Sequence, residues 1–160
     1  MEVVRKILQL LEKRIALMEE LKNQLFAQQK ALVESDSGQI TTLAESQLTC
    51  LEKIQKNEMD WQRLTSQMAA EDKDSTTALR EWSRKLPEEE YNRYLAYQSR
   101  IKTLGAEIAV IKRNNRMLIQ NSLTLLRSTM NQLRGESAGD PVYGPRQKQK
   151  AANLLLDKTL

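Results

Sequence analysis

Apolar residues recur at intervals of three and four along three long stretches of this chain, none of which contains proline. In the first stretch, residues 2–34, the apolar heptad positions are Val4, Leu8, Leu11, Ile15, Met18, Leu25 and Leu32. Lys22 and Gln29 interrupt this series. Side chains at such spacings share one face of an α-helix, so the pattern predicts a helix over 2–34. Three further leucines widen the apolar face: Leu10, Leu17 and Leu21. A face this wide indicates more than one neighbouring helix.

The second stretch, residues 38–70, repeats the pattern of the first. Its apolar heptad positions are Ile40, Leu43, Cys50, Ile54, Trp61, Leu64 and Met68. Gln47 and Asn57 are polar interruptions of this series. A polar break precedes the stretch, and either Asp36 or Ser37 can cap the second helix, because a side-chain oxygen at that position accepts from the free amides of the first turn. A connection this short predicts that the two helices lie antiparallel.

The third long stretch is predicted to be a helix over 88–134. Pro87 followed by three glutamates is a helix-start signal, because proline suits the first turn and acidic side chains match its positive end. Its apolar positions form two series: Tyr94, Tyr97, Ile101, Leu104, Ile108 and Ile111, then Ile119, Leu123, Leu126, Met130 and Leu133. The shift between them falls at Asn115, where a stutter in the heptad indicates either a change of partner surface or a local unwinding. A shorter helix is predicted over 76–85, after a polar loop at 71–75.

Gly135 is placed to end the third long helix as its C′ residue. We expect residues 135–160 to form a flexible basic tail that carries short apolar docking motifs. The predicted fold is therefore all-α: an elongated antiparallel three-helix bundle or coiled coil over 1–134, with one short extra helix and this tail.

Composition supports a helical binding protein over an enzyme. The chain has no histidine, one cysteine, five glycines and three prolines. Turn-forming residues are too few for a sheet protein, and neither a Ser–His catalytic arrangement nor a Cys/His zinc site can be built. The glycines are scattered singly, which excludes a glycine-rich phosphate loop. We expect no catalytic residue, no metal and no cofactor.

Charge and hydropathy bear on partners and location. The net charge is +4, and residues 91–160 contain 12 Lys and Arg against 4 Asp and Glu. Such a basic third is typical of a solvated helix face, of a nucleic-acid contact or of a contact with an acidic protein. No stretch is long and apolar enough for a membrane span, and the first residues lack a signal-peptide pattern. Together with the lone cysteine, this favours a cytoplasmic protein without membrane insertion.

Three segments resemble the FlgN family of flagellar export chaperones. The sequence Asn115-Arg116-Met117-Leu118-Ile119-Gln120-Asn121-Ser122-Leu123 is similar to the family's Asn-x-x-Leu-(Leu/Ile)-x-x-Ser-Leu pattern. Further along, Val142-Tyr143-Gly144-Pro145-Arg146 resembles its Tyr-Gly-x-x-Gly segment, and Leu154-Leu155-Leu156-Asp157-Lys158 resembles its hydrophobic-Asp ending. The first half agrees more loosely, through Ala31-Leu32, Asp36, Ile40 and Leu43.

The resemblance implies a cytoplasmic chaperone that binds the C-terminal helical ends of the hook-associated (hook–filament junction) proteins. It would prevent their premature assembly and deliver them to the type III export apparatus, with contacts to components of the export gate and of the ATPase complex. The implied client-binding residues are Asn115, Leu118, Ile119, Ser122, Leu123, Leu126, Met130 and Leu133. The implied residues for docking to the export apparatus are Val142, Tyr143 and Gly144.

Two other interpretations stay open on the residues alone. The apolar series from Ile119 to Leu133 can close the protein's own core or a homodimer, as in a structural or scaffolding coiled coil that self-associates. The basic last third can belong to a nucleic-acid-associated helical protein, whose binding would fall steeply with salt. We expect no nucleic acid as a partner, because the chain lacks several exposed aromatic rings among its basic residues.

Overall fold

The computed structural model describes residues 2–69 and 75–137, which form four α-helices and contain no strand. These helices are α1 (Glu2–Glu34), α2 (Ser37–Met68), α3 (Ser75–Ser83) and α4 (Glu88–Ser137). The predicted all-α class is confirmed. Residues 70–74 and 138–160, which include most of the predicted loop and most of the predicted tail, lie outside the described residues. Within the described part, no helix is long and apolar enough to span a membrane.

The chain divides into two compact units, Met1–Gln120 and Asn121–Leu160, and α4 contributes to both. The predicted helix end at Gly135 is wrong, because α4 continues to Ser137. A glycine ends a helix when it adopts a left-handed conformation, and no described glycine has a positive φ. Inside an exposed helix, glycine costs only about 1 kcal/mol relative to alanine, which the other residues of this helix offset.

A connection of two residues joins α1 to α2. Ser35 has a φ of 57°, and its N–H donates to the carbonyl oxygen of Leu32 at 3.3 Å. The N–H of Asp36 donates to the carbonyl oxygen of Ala31 at 2.9 Å, which completes a Schellman motif. The carboxylate of Asp36 then accepts from the N–H of Gln39 at 3.0 Å and caps α2. Of the two predicted caps, Asp36 is therefore the one used.

The α1–α2 pair is antiparallel, and polar side chains of α2 set its register. Asn57 donates to the carbonyl oxygen of Leu10 at 3.0 Å, and Gln47 donates to that of Gln24 at 3.4 Å. Residue numbers rise along α1 while they fall along α2, as the antiparallel prediction requires. Both polar interruptions of the α2 heptad thus donate hydrogen bonds to α1.

Helix α4 runs parallel to α1 over the first unit. Lys22 forms a salt bridge with Glu107 at 2.8 Å, and Arg100 forms one with Glu19 at 2.8 Å. Residue numbers rise along both helices, so α1 and α4 point the same way. Because α1 contacts both α2 and α4, its broad apolar face has two partners, as the extra leucines predicted.

Two clusters of buried side chains hold the bundle together. The first contains Leu21, Leu25, Cys50, Ile108 and Ile111, from α1, α2 and α4. The second contains Ile7, Leu8, Leu11 and Tyr94, with partly buried side chains packed against it, among them Trp61, Leu79, Trp82 and Leu86. Trp82 meets the ring of Tyr94 edge to face, at 5.8 Å between centroids, so α3 packs against the bundle core.

Candidate functional site

Helix α4 exposes a row of large apolar side chains, which we call the α4 stripe: Ile119, Leu123, Leu126, Met130 and Leu133. Their spacing of four and three residues places them on one face of the helix. Ile119 belongs to the first compact unit and the other four belong to the second. Leu126 is 59 % exposed and Leu133 is 60 % exposed. Exposed apolar residues concentrated in this way are typical of surfaces that bind another protein.

The α4 stripe has a basic side and a neutral side. Arg127 and Arg134 are exposed and lie one residue beyond Leu126 and Leu133, respectively. Ser122, one residue before Leu123, is exposed on the other side of the stripe. Between residues 121 and 135 no side chain is acidic. An amphipathic helix with acidic residues along one edge would therefore match both the shape and the charge of this face.

Leu125 also lies in this segment but on a different face of α4. It is 70 % exposed and adjoins Leu126 in the sequence, yet a helix turns by about 100° between neighbouring residues. Leu125 therefore offers a comparison residue of the same type, on the same helix, outside the stripe.

Asn115 differs from the other predicted client-binding residues, because its side chain is buried in the bundle at 3 % exposure. Its amide donates to the carbonyl oxygen of Leu25 at 2.9 Å and to Oε1 of Gln28 at 3.1 Å. The structure places Asn115 against α1, where it is not available to a client. It therefore positions α4 on α1, and the α4 stripe begins after it. This position is the change of partner surface that the heptad stutter indicated.

The remaining predicted site residues divide into two groups. Leu118 is half-buried on α4 and Ser122 is exposed. Val142, Tyr143 and Gly144, the predicted docking residues, lie outside the described residues. The structure therefore brings the residues of the α4 stripe onto one surface and leaves the docking segment as a sequence-based prediction.

The single thiol of the chain, that of Cys50, is used in a structural contact. No group of three or more His, Cys, Asp or Glu side chains in that part of the chain could hold a metal ion. Cys50 is fully buried, and its thiol donates to the carbonyl oxygen of Leu17 at 3.3 Å. Burial raises the pKa of this thiol, and the charge of Glu20 raises it further. A raised pKa keeps the thiol protonated and unreactive, as expected for a packing residue.

Sequence reasoning missed two contributions to the bundle of the first compact unit. Ile7 is fully buried although it lies outside the predicted heptad series. Arg14 donates to Oδ1 of Asn57 at 2.9 Å, forms a salt bridge with Glu58 and lies over the ring of Trp61. The heptad count followed one seam of α1, whereas a second seam, visible as apolar residues at 7, 10, 17 and 21, would have found Ile7.

Comparison with known proteins agrees with this architecture. The family model described as "FlgN protein" matches residues 1–151, nearly the whole chain. No curated protein and no solved structure gives a significant match. A family match over this length covers the bundle, the α4 stripe and the Tyr143 segment. The chain therefore belongs to the FlgN family, the family of flagellar export chaperones.

Proposed function

We propose that this protein is a cytoplasmic chaperone for the hook-associated (hook–filament junction) proteins. It binds their C-terminal helical ends, prevents their premature assembly and delivers them to the flagellar type III export apparatus. Membership of the FlgN family supports the general role of export chaperone. The observation that carries the client assignment is the exposed α4 stripe, which offers an apolar face to an amphipathic helix.

The physical argument rests on what such a client end presents. A helix that later packs into a filament has an apolar face, and this face aggregates when it is left uncovered. When Leu123, Leu126, Met130 and Leu133 cover this face, apolar surface of both partners is removed from water. The free energy of binding becomes more favourable by roughly 25 cal/mol per Å² of apolar surface buried. Met130, the methionine of the α4 stripe, allows this surface to fit related clients, because an unbranched thioether adapts its shape.

The test is co-purification with the C-terminal segment of each hook–filament junction protein of the same organism. The purified complex is sized by light scattering at low and at high salt. A stoichiometric complex that survives high salt supports the proposal, because apolar contacts depend little on ionic strength. If no junction protein binds, the proposed function is wrong.

A matched pair of variants locates the contact. Replacing both Leu123 and Leu126 by Ala should abolish co-purification, whereas Leu125→Ala should leave it unchanged. All three leucines are exposed, and alanine favours a helix, so circular dichroism should show full helicity for both proteins. If the double variant unfolds, the stripe belongs to the protein's own core and the assignment is wrong.

Self-association is the second candidate, and the same exposed stripe favours it, because two copies can cover each other's apolar face. Light scattering of the protein alone over a range of concentrations separates the two functions. A dimer that the Leu123/Leu126 double variant dissociates, with no client bound at any concentration, would identify a scaffolding coiled coil.

Docking to the export gate and to components of the ATPase complex is the last part of the proposal. By family resemblance it assigns this role to Val142, Tyr143 and Gly144. Tyr143→Ala should therefore retain the client in co-purification while binding to the export components is lost. Loss of both activities would contradict separate sites for client and export apparatus.

A further inference from the structure

The first compact unit contains an open cleft between α2 and α4, of about 440 Å³. Apolar side chains from three helices line most of it: Met18, Leu21 and Leu25 of α1, Leu51 and Ile54 of α2, and Ile101 and Ile108 of α4. Polar side chains complete the lining: Arg14, Gln47, Glu58 and Lys112. Leu51 remains 47 % exposed on its wall. Leu21, Leu25 and Ile108 are buried at the floor of the cleft. The apolar surface that the cleft leaves open is therefore that of its walls, above all Leu51.

Gly105 lies on the α4 wall of this cleft, and the bundle itself does not require a glycine there. A Cβ atom added at Gly105 would lie 3.9 Å from Cε of Met18, which is an ordinary van der Waals contact. Glycine inside a helix costs about 1 kcal/mol relative to alanine. No contact of Gly105 among the described residues compensates for this loss of helix stability. Because Gly105 has no side chain, the backbone of another helix can approach the cleft wall closely at this position.

The α4 side of the cleft is positively charged. Lys112 lines the cleft, and Arg116, one turn further along α4, is exposed. Neither forms a salt bridge among the described residues. Arg14 and Glu58, by contrast, neutralise each other in a salt bridge on the opposite side. Positive charge without a salt bridge in the described part of the chain favours an occupant with acidic residues on the edge that faces α4.

We propose that this cleft takes a second amphipathic helix of the exported client, separate from the segment that covers the α4 stripe. The inference rests on the proposed function. It adds a second contact between chaperone and client, and it specifies an acidic edge on the client helix. The cleft extends from Ile101 to Lys112, roughly 16 Å at 1.5 Å per residue, which fits about three helical turns. The client helix crosses α4 at Gly105 and places its acidic edge beside Lys112.

The test fills the cleft from Gly105. Leucine is a good helix former, so Gly105→Leu should fold and melt no lower than the wild type, while its side chain occupies the space of the client helix. The matched control is Ala106→Leu, which adds the same side chain on an exposed face of α4. Titration calorimetry uses the full chain and a C-terminal region of a junction protein that includes both client helices. Binding should be at least about tenfold weaker for Gly105→Leu and unchanged for Ala106→Leu.

A charge variant keeps the test decisive if Gly105→Leu fails to fold. Lys112→Glu should weaken binding of the same segment several-fold, since it places like charge beside the acidic edge, whereas Lys102→Glu, outside the lining of the cleft, should not. Unchanged affinity in a folded Gly105→Leu variant, or in Lys112→Glu, overturns the cleft assignment.

The remaining outcomes separate this inference from the proposed function. If the wild type binds no junction segment, both fail. If the wild type binds and a folded Gly105→Leu variant binds equally well, only the cleft assignment fails. If Gly105→Leu converts a dimer to a monomer in light scattering without client, the occupant is a second copy of the chain and the client assignment is overturned.

Discussion

The side-chain amide of Asn115 donates a hydrogen bond to the backbone carbonyl oxygen of Leu25 at 2.9 Å, across 90 positions of sequence. The same amide reaches Oε1 of Gln28, while its own oxygen is buried without a hydrogen-bond partner among the described residues. A buried polar residue of this kind fixes one alignment of two helices, because any other alignment leaves its amide unpaired as well. Asn115 therefore sets where α4 lies along α1.

Asn115→Asp should lower the free energy of unfolding by about 2–4 kcal/mol, because it places a carboxylate in a site that excludes water. Urea unfolding followed by circular dichroism measures the change. The matched variant is Asn115→Leu, which has a similar volume and removes the unpaired oxygen. It should stay within about 1 kcal/mol of the wild type, since the backbone carbonyl of Leu25 can keep its helical hydrogen bond. Equal stability of the wild type and the Asp variant would contradict the buried position.

Ser35→Gly should raise the melting temperature by a few degrees. Ser35 holds a φ of 57°, a left-handed conformation that glycine adopts more readily than serine. The expected gain is about 0.5–1 kcal/mol, and a thermal scan by calorimetry measures it. Ser37→Gly is the control, because Ser37 lies in helix α2 and glycine there should lower the melting temperature. A lower melting temperature for Ser35→Gly would contradict the Schellman motif.

Arg14→Lys should destabilise the α1–α2 pair by about 1 kcal/mol, because lysine cannot supply the same planar group. The guanidinium donates to Oδ1 of Asn57, forms a salt bridge with Glu58 and lies 5.5 Å from the ring centroid of Trp61. Urea unfolding is again the measurement. Arg5→Lys, an exposed change on the same helix, should stay within about 0.5 kcal/mol of the wild type. Equal urea-unfolding curves for the wild type and Arg14→Lys would show that the Arg14 side chain is solvated.

Cys50 should react very slowly with an aromatic disulfide reagent in the native protein. It is fully buried, its thiol donates to Leu17, and burial raises its pKa, so little thiolate is present and the reagent cannot reach it. In urea the single thiol should react completely within the same time. Release of the reagent's chromophore gives both rates. A rapid stoichiometric reaction without urea would place Cys50 outside the core.

Glu107 should make the bundle sensitive to acid. A hydrogen bond from Lys22 is the largest cause that lowers the pKa of Glu107 below its ordinary value of 4.5. A carboxyl group with a lowered folded-state pKa adds stability above the unfolded-state pKa, and that stability is lost as the pH falls through the folded-state pKa. Melting temperatures measured from pH 7 to pH 3 should therefore fall further for the wild type than for Glu107→Gln. If the melting temperatures of the wild type and Glu107→Gln fell in parallel with pH, this would contradict the Lys22–Glu107 contact.

The helices themselves follow from local patterns in the sequence. Long runs without proline, the Asp36 cap and the proline–glutamate start at Pro87 predict their limits to within a few residues. The prediction at Gly135 was wrong because the sequence does not distinguish a glycine that ends a helix from a glycine that lies inside one. Their difference is a backbone conformation, which depends on whether the following residues gain more by leaving the helix than by continuing it.

The role of the polar residues that interrupt the heptads is visible only in the structure. Gln47, Asn57 and Asn115 each interrupt an apolar series, and in the sequence they read only as weak positions. In the bundle each donates to a backbone carbonyl oxygen of α1. A single sequence cannot show this, because hydrogen bonds to main-chain atoms leave no complementary residue type on the partner helix. For the candidate site the sequence predicts the apolar face of α4, and only the structure separates buried Asn115 from the exposed stripe.

The contacts that α1 makes with both of its neighbours also imply an order of assembly. A link of two residues lets α1 and α2 pair as soon as both are synthesised, since closing so short a loop costs little chain entropy. The contacts of α1 with α4, such as Glu19 with Arg100 and Leu25 with Asn115, span 81 to 90 positions and form later. We therefore expect a nascent chain to present an α1–α2 hairpin, with its second apolar seam uncovered, until α4 has been synthesised.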